Sequence, residues 1–216
     1  MPALLAIETS GSSCSVAVSV DKHLVACIEI LRPNVHDARL ASLVERVCLD
    51  SDVAISSLDY VAVSSGPGSF TGLRIGVSMA KGLCIGSGAT LIGVPTTTAL
   101  FHASSEVAAR AGSTSMVAVI PSHADLVYVA ESPLDDDRHL AQVRLANKSE
   151  LPSMLHEKTL CVGPGAHLLD PHAVSGLSRL SARFVAYAAW RLLAAGHQPD
   201  DPLTFAPEYH QEFRPR

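Results

Sequence analysis

A buried strand, a turn of small residues and an apolar helix follow one another over residues 58–86. Leu58 to Ser64 reads as a buried strand. It runs into Ser65-Gly66-Pro67-Gly68-Ser69-Phe70-Thr71-Gly72. The next stretch, 73–86, carries Leu73, Ile75, Val77, Met79, Leu83, Cys84 and Ile85, and its only polar stripe is Arg74, Ser78 and Lys81. A helix apolar nearly all round must be buried in its own protein or covered by a partner. Gly72, Gly76 and Ala80 recur every fourth residue, so another backbone can approach this helix closely. Strand, tight turn and helix in that order are a unit of an α/β fold.

The flanking pattern extends the unit. Ala3–Glu8, Cys14–Val20 and Leu24–Ile30 are short apolar runs joined by short polar turns, which predicts an antiparallel meander. From His36 to Asp50, Leu40, Leu43, Val44, Val47 and Cys48 fall on one helical stripe. A strand at 90–94 follows, then a helix from a Thr96/Thr97 cap to about Arg110. After the link 111–115, strands are expected at 116–121, 126–131, 140–145 and 159–163. Asp135-Asp136-Asp137 would form a hairpin turn, and a short helix would occupy 149–156. A long helix at about 178–195 precedes an extended tail, 197–216. Val61 to Gly68 is echoed by Leu160 to Gly165, each a strand ending in Gly-Pro-Gly, so two halves on one plan are expected, 1–110 and 111–216.

Composition narrows the function. Net charge is −5, with 17% charged and 48% hydrophobic residues. A disordered chain needs the opposite balance, and an electrostatic nucleic-acid binder needs a basic excess. No two of the ten histidines stand four apart, so no helix presents a metal-binding pair. The five cysteines are widely spaced without CxxC and read as buried thiols in a reduced, cytoplasmic protein. No apolar run reaches a membrane span; Arg74 and Lys81 interrupt the longest.

Two sites carry candidate chemistry. Gly66, Gly68, Ser69, Thr71 and Gly72 place small residues at a helix N-terminus, where unpaired amides suit an anion. The alternative is a tightly turned helix start with nothing bound. Glu8 ends a strand beside the Thr9-Ser10 turn, where a cation-linked acid could sit, or an ordinary strand-end acid. Walker, GxGxxG dinucleotide and GxSxG signatures do not occur.

Several segments resemble the TsaB (YeaZ) family. They are Ala3-Leu4-Leu5-Ala6-Ile7-Glu8-Thr9-Ser10, Cys14 to Val18, Ser65-Gly66-Pro67-Gly68-Ser69-Phe70-Thr71-Gly72-Leu73-Arg74-Ile75-Gly76, Lys81-Gly82-Leu83 and Ile92 to Thr96. The resemblance implies an actin-like, Hsp70-like fold of two RNase-H-like halves, each a mixed sheet flanked by helices. It implies a noncatalytic subunit that pairs with a TsaD-like catalytic subunit. With a TsaE-like ATPase, that pair supports threonylcarbamoyl transfer to adenosine of ANN-decoding tRNAs. It also implies homodimerisation, no catalytic residue, metal or required cofactor in this chain, ATP or ADP only at the level of the complex, and tRNA reached only through the complex. The family's pairing surface uses the first two helices. Here those would offer Arg39, Leu40, Leu43 and Val47, and Leu73, Arg74, Val77, Met79 and Lys81. Glu8 stands where the family has Asp. Of the second-half DARxxEVY pattern only Val127-Tyr128 remains, and the terminal PxYLR pattern is reduced to Pro207-Glu208-Tyr209-His210. The alternatives are an ATP-binding phosphotransferase or peptidase-like enzyme of the same fold, with Glu8 or Asp125 on a cation, and a homodimeric binding protein.

Overall fold

The computed structural model describes residues 1–136, 139–154 and 156–208, with the side chain of residue 153 excepted. In the first half the order is β1 (Ala3–Glu8), β2 (Cys14–Val20), β3 (His23–Ile30), α1 (His36–Asp50), β4 (Tyr60–Gly66), α2 (Phe70–Ser87), β5 (Thr90–Pro95) and α3 (Thr96–Arg110). In the second it is β6 (Ser115–Pro121), β7 (Leu126–Pro133), β8 (Arg144–Asn147), β9 (Thr159–Val162) and α4 (Ala182–Ala194).

The first sheet has the order β3-β2-β1-β4-β5. Its first three strands form the expected antiparallel meander, and β4 and β5 run parallel to β1. The second sheet, β8-β7-β6-β9, repeats that winding without a fifth strand: β6 and β7 pair antiparallel, as do β7 and β8, and β9 is parallel to β6. Both sheets are mixed and flanked by helices, which is the actin-like, RNase-H-like plan. The Gly-Pro-Gly echo falls at matching places, where β4 and β9 end beside the first strand of each sheet.

Layers follow from side-chain alternation along the strands. Leu5, Ile7, Val16, Val18, Val61 and Val63 face α1 and α2 in one core, with Leu40, Leu43, Val44, Val47, Val77 and Cys84. Leu4, Ala6, Ala17, Ala62, Ile92 and Val94 face the opposite side, where Val185, Ala186, Ala189, Trp190 and Leu192 of α4 cover them. Trp190 donates its indole N–H to Ser19 Oγ at 2.7 Å, which satisfies the one polar atom that ring carries inward.

A split at 110/111 therefore separates the sheets but not the helices. The last helix, α4, packs on the first sheet. Leu100, Phe101 and Ala108 of α3 pack mainly against Met116, Ala118, Ile120 and Tyr128 of the second. Burial of an apolar face decides which sheet a helix joins, and chain order does not.

Local expectations are corrected at several places. Thr96 and Thr97 lie inside α3 and are buried; the cap position is Pro95, because β5 runs into the helix without a loop. The strand expected at 140–145 starts only at Arg144. Residues Lys148–Met154 form a 3-10 turn with Pro152 inside it, and proline supplies no N–H for an α-helical ladder. The helix expected from 178 begins at Ala182, where Ser181 Oγ accepts from Arg183 N. Of the acidic turn, Asp135 and Asp136 follow β7, while Asp137 lies outside the described residues. The tail is not a free extension: residues 198–208 return to the first sheet, and Tyr209 and His210 lie outside the described residues.

Candidate functional site

The Gly-rich loop is shaped by a backbone contact. Ser69 N donates to the Ser10 carbonyl at 2.7 Å. Gly72 N donates to Ser69 Oγ at 3.2 Å, and Thr9 Oγ1 donates to the Gly72 carbonyl at 2.8 Å. A side chain on Gly68 would run into Ser10, one on Gly72 into the Thr9 carbonyl, and one on Gly76 into Thr9 Oγ1. Gly66 has φ +121°, a conformation disfavoured for L side chains. So Gly68, Ser69 and Gly72 of the candidate anion loop seat the start of α2 on the β1–β2 turn, while a side chain on Gly66 would meet the Glu208 carbonyl. Ser69 and Gly72 already donate their amides within the chain, and Thr71 is exposed at the rim.

Glu8 is buried beneath that turn. One carboxylate oxygen accepts from Ser10 N at 2.5 Å and Ser10 Oγ at 2.6 Å, and the other accepts from Ser64 Oγ. Desolvation pushes its pKa up; the Ser10 and Ser64 hydrogen bonds and the nearby His36 oppose that. Serine donors occupy both of its oxygens. Asp125, the other acid considered, is exposed at the β6–β7 tip, 3.4 Å from Lys148 Nζ.

Between the two sheets lies a cleft of about 720 Å³. Ser12, Asn34, His36 and Asp37 line one wall, and Ser122, His123 and Tyr128 the other. His36, at the first turn of α1, reaches back across the turn, Nε2 to the Ser13 carbonyl at 3.1 Å. A carbonyl only accepts, so that nitrogen carries the proton.

The outer layer, α1 with α2, is the expected docking face, and the structure divides its nine residues. Leu40, Leu43, Val47, Leu73 and Val77 are buried, none more than 8% exposed. The amphipathic stripe of α1 and the Val77 side of α2 build the protein's own core. Lys81 Nζ donates to the carbonyls of Leu203 and Phe205 at 3.3 and 2.9 Å. Arg39 and Arg74 are exposed, and Met79 is half-buried.

What α2 presents outward is Phe70, Thr71, Arg74, Ser78, Gly82, Ile85 and Gly86. The Arg74 guanidinium lies 3.8 Å from the centre of the Phe70 ring. Ile85 is 64% exposed and, on α1, Leu49 is 70% exposed. Phe70, Ile85 and Leu49 are not among the nine expected pairing residues. Leu49 stands opposite Val47 on the helical wheel, but Phe70 and Ile85, seven and eight residues from Val77, do not stand opposite it, so periodicity alone did not mark them.

Residues 33–140 match the family model described as TsaD: tRNA N6-adenosine threonylcarbamoyltransferase. The tRNA threonylcarbamoyladenosine biosynthesis protein TsaB of Escherichia coli is 32% identical over 157 residues; the match covers 72% of this chain and 65% of that protein's length. Among solved structures, one described as an uncharacterized protein with similarity to peptidase YEAZ from Pseudomonas aeruginosa has a TM-score of 0.79 at 22% identity, covering 98% of this chain and all of that one. YeaZ from Pseudomonas aeruginosa has a TM-score of 0.77 at 23% identity, covering 95% of this chain and all of that one.

Proposed function

This chain belongs to the TsaB (YeaZ) family, and from that premise we propose that it is a noncatalytic pairing subunit in tRNA threonylcarbamoyladenosine biosynthesis. Its task is to hold a TsaD-like catalytic subunit through the outer face of α2 and the adjoining face of α1. The carrying observation is Ile85, exposed on a helix whose neighbouring outward positions are Ser78, Gly82 and Gly86. Those small residues leave the helix surface low, so a second backbone can approach while Ile85, and Phe70 stacked under Arg74, project as anchors.

A second copy presenting the same face would form a homodimer, so self-pairing and heteropairing compete. ATP or ADP enters with the TsaE-like ATPase, and tRNA is contacted in the assembled complex. The net charge of −5 supports that division, since phosphate neutralisation needs lysines and arginines. The packing of Gly68, Gly72 and Gly76 favours this reading over an independent phosphotransferase. The loop that such an enzyme would wrap round phosphate is closed here on Thr9 and Ser10.

The test is reconstitution of the chain with TsaD-like and TsaE-like subunits, ATP, threonine-derived donor and an ANN-decoding tRNA. Modification that depends on this chain supports the reading. Modification at the same rate without it sinks the reading, as does turnover of ATP by this chain alone.

A further inference from the structure

The tail makes contacts of a kind that an idle terminus does not. Asp200 N donates to the Leu91 carbonyl at 3.0 Å, and Gly93 N donates to Asp200 Oδ2 at 2.7 Å. These are outward groups of β5, the edge strand of the first sheet. The Phe205 ring occupies the place of a side chain on Gly93: a Cβ there would stand 2.5 Å from Phe205 Cζ. That explains a glycine between Ile92 and Val94 in a buried strand, where it costs backbone entropy and packing. Lys81 Nζ, from α2, holds the carbonyls of Leu203 and Phe205. Asp201 staples the turn between, its carbonyl accepting from Phe205 N at 2.8 Å and its side chain from Leu203 N at 2.9 Å. The described chain ends where Glu208 N donates to the Ser65 carbonyl at 2.8 Å, against Gly66 and the loop that opens α2.

We propose that residues 198–208 are a strap that holds α2 in place from outside, with Phe205 as its knob, Gly93 as its socket and Lys81 as its clasp. The strap touches α2 at Lys81 and the end of β4 at Ser65, and it anchors both to the β5 edge. Its state therefore sets how firmly the outer face of α2 is presented. That last consequence rests on the pairing function proposed above; the strap's hold on α2 does not.

The test is hydrogen exchange on the full chain, in the wild type, Phe205→Ala and Lys81→Met. The methionine keeps most of the lysine stem and removes the donor. Expected for Phe205→Ala is exchange roughly tenfold faster at Gly93 and at 203–208, and several-fold faster across 70–81, with α4 unchanged. Lys81→Met should give the same pattern, smaller. The proposal is overturned if the strap loosens while 70–81 does not, if α2 and α4 accelerate together, or if neither variant loosens the strap. Affinity for a TsaD-like subunit is measured on the same proteins and should fall in step with α2 protection. Exchange as expected with no wild-type pairing would support the strap and remove the pairing function alone.

Discussion

Thr9 and Gly72 hold each other from both ends of one contact: the Thr9 hydroxyl donates to the Gly72 carbonyl at 2.8 Å, and the Thr9 carbonyl lies where a Gly72 side chain would begin. The first turn of α2 is thereby pressed onto the β1–β2 turn. In an exposed helix Gly→Ala gains about 1 kcal/mol. At Gly72 the clash should outweigh that gain, because the obstacle is backbone; overpacking of this kind costs about 1–3 kcal/mol. Gly72→Ala is expected to lower the urea midpoint. Gly82→Ala, in open space on the same helix, is expected to raise it.

The buried members of the expected docking stripe give a second contrast. Val77→Glu puts a charge into the core shared with Val47 and Val63, and an unpaired buried charge costs several kcal/mol. The variant should be unfolded or grossly destabilised by circular dichroism. Ile85→Glu, on the outward side, should stay within about 0.5 kcal/mol of wild type.

Glu8 gives the pH dependence a sign. Its folded pKa lies above the ordinary 4.5, so between those two values the native state binds more protons than the unfolded chain. Stability from this group is fully present below 4.5 and falls as pH rises through the folded pKa, by at most about 1.4 kcal/mol per pH unit. Glu8→Gln keeps an acceptor for Ser10 and removes the titration. Urea midpoints at pH 5 and pH 8 should show the variant gaining on wild type at the higher pH. An unchanged difference would mean that Glu8 carries no such penalty.

Thiol labelling should follow burial. Burial, joined by nearby acids for Cys14 and Cys161, pushes Cys14, Cys84 and Cys161 up to about 11. Cys27 is raised as well, first by desolvation and then by Glu29, but it is only half-buried. Iodoacetamide at pH 8 should reach Cys27 first in the native protein and all five after unfolding, read by mass spectrometry.

The meander, the strand–loop–helix unit and the duplicated plan were legible because alternation, the 3.6-residue period and Gly-Pro-Gly are local signals. Which helix residues stay exposed was less so. Periodicity shows that Leu43 and Val47 share a face, yet the same stripe would serve a core or a partner; only the sheet beneath α1 decides it. Glu8 was visible as a strand-end acid, but its enclosure depends on Ser64, which pairing with β4 brings across from a distant part of the chain. Gly93 and Phe205 belong together for the same reason. Their contact spans over a hundred residues, and neither carries a local cue. The glycines at 66, 68 and 72 looked equally fit for an anion or for a tightly turned helix start, and the backbone that stands against Gly68 and Gly72, from Ser10 and Thr9, carries no local cue.

The central claim is that the outward side of α2 pairs with a TsaD-like subunit. Isothermal titration of that subunit with wild type, Arg74→Glu and Ile85→Glu tests it most directly, with melting temperatures taken on the same samples. Wild type should bind saturably, and each variant should lose at least about tenfold in affinity, as removal of an interface anchor does, while melting within a few degrees of wild type. Binding by both variants at wild-type affinity would contradict the claim.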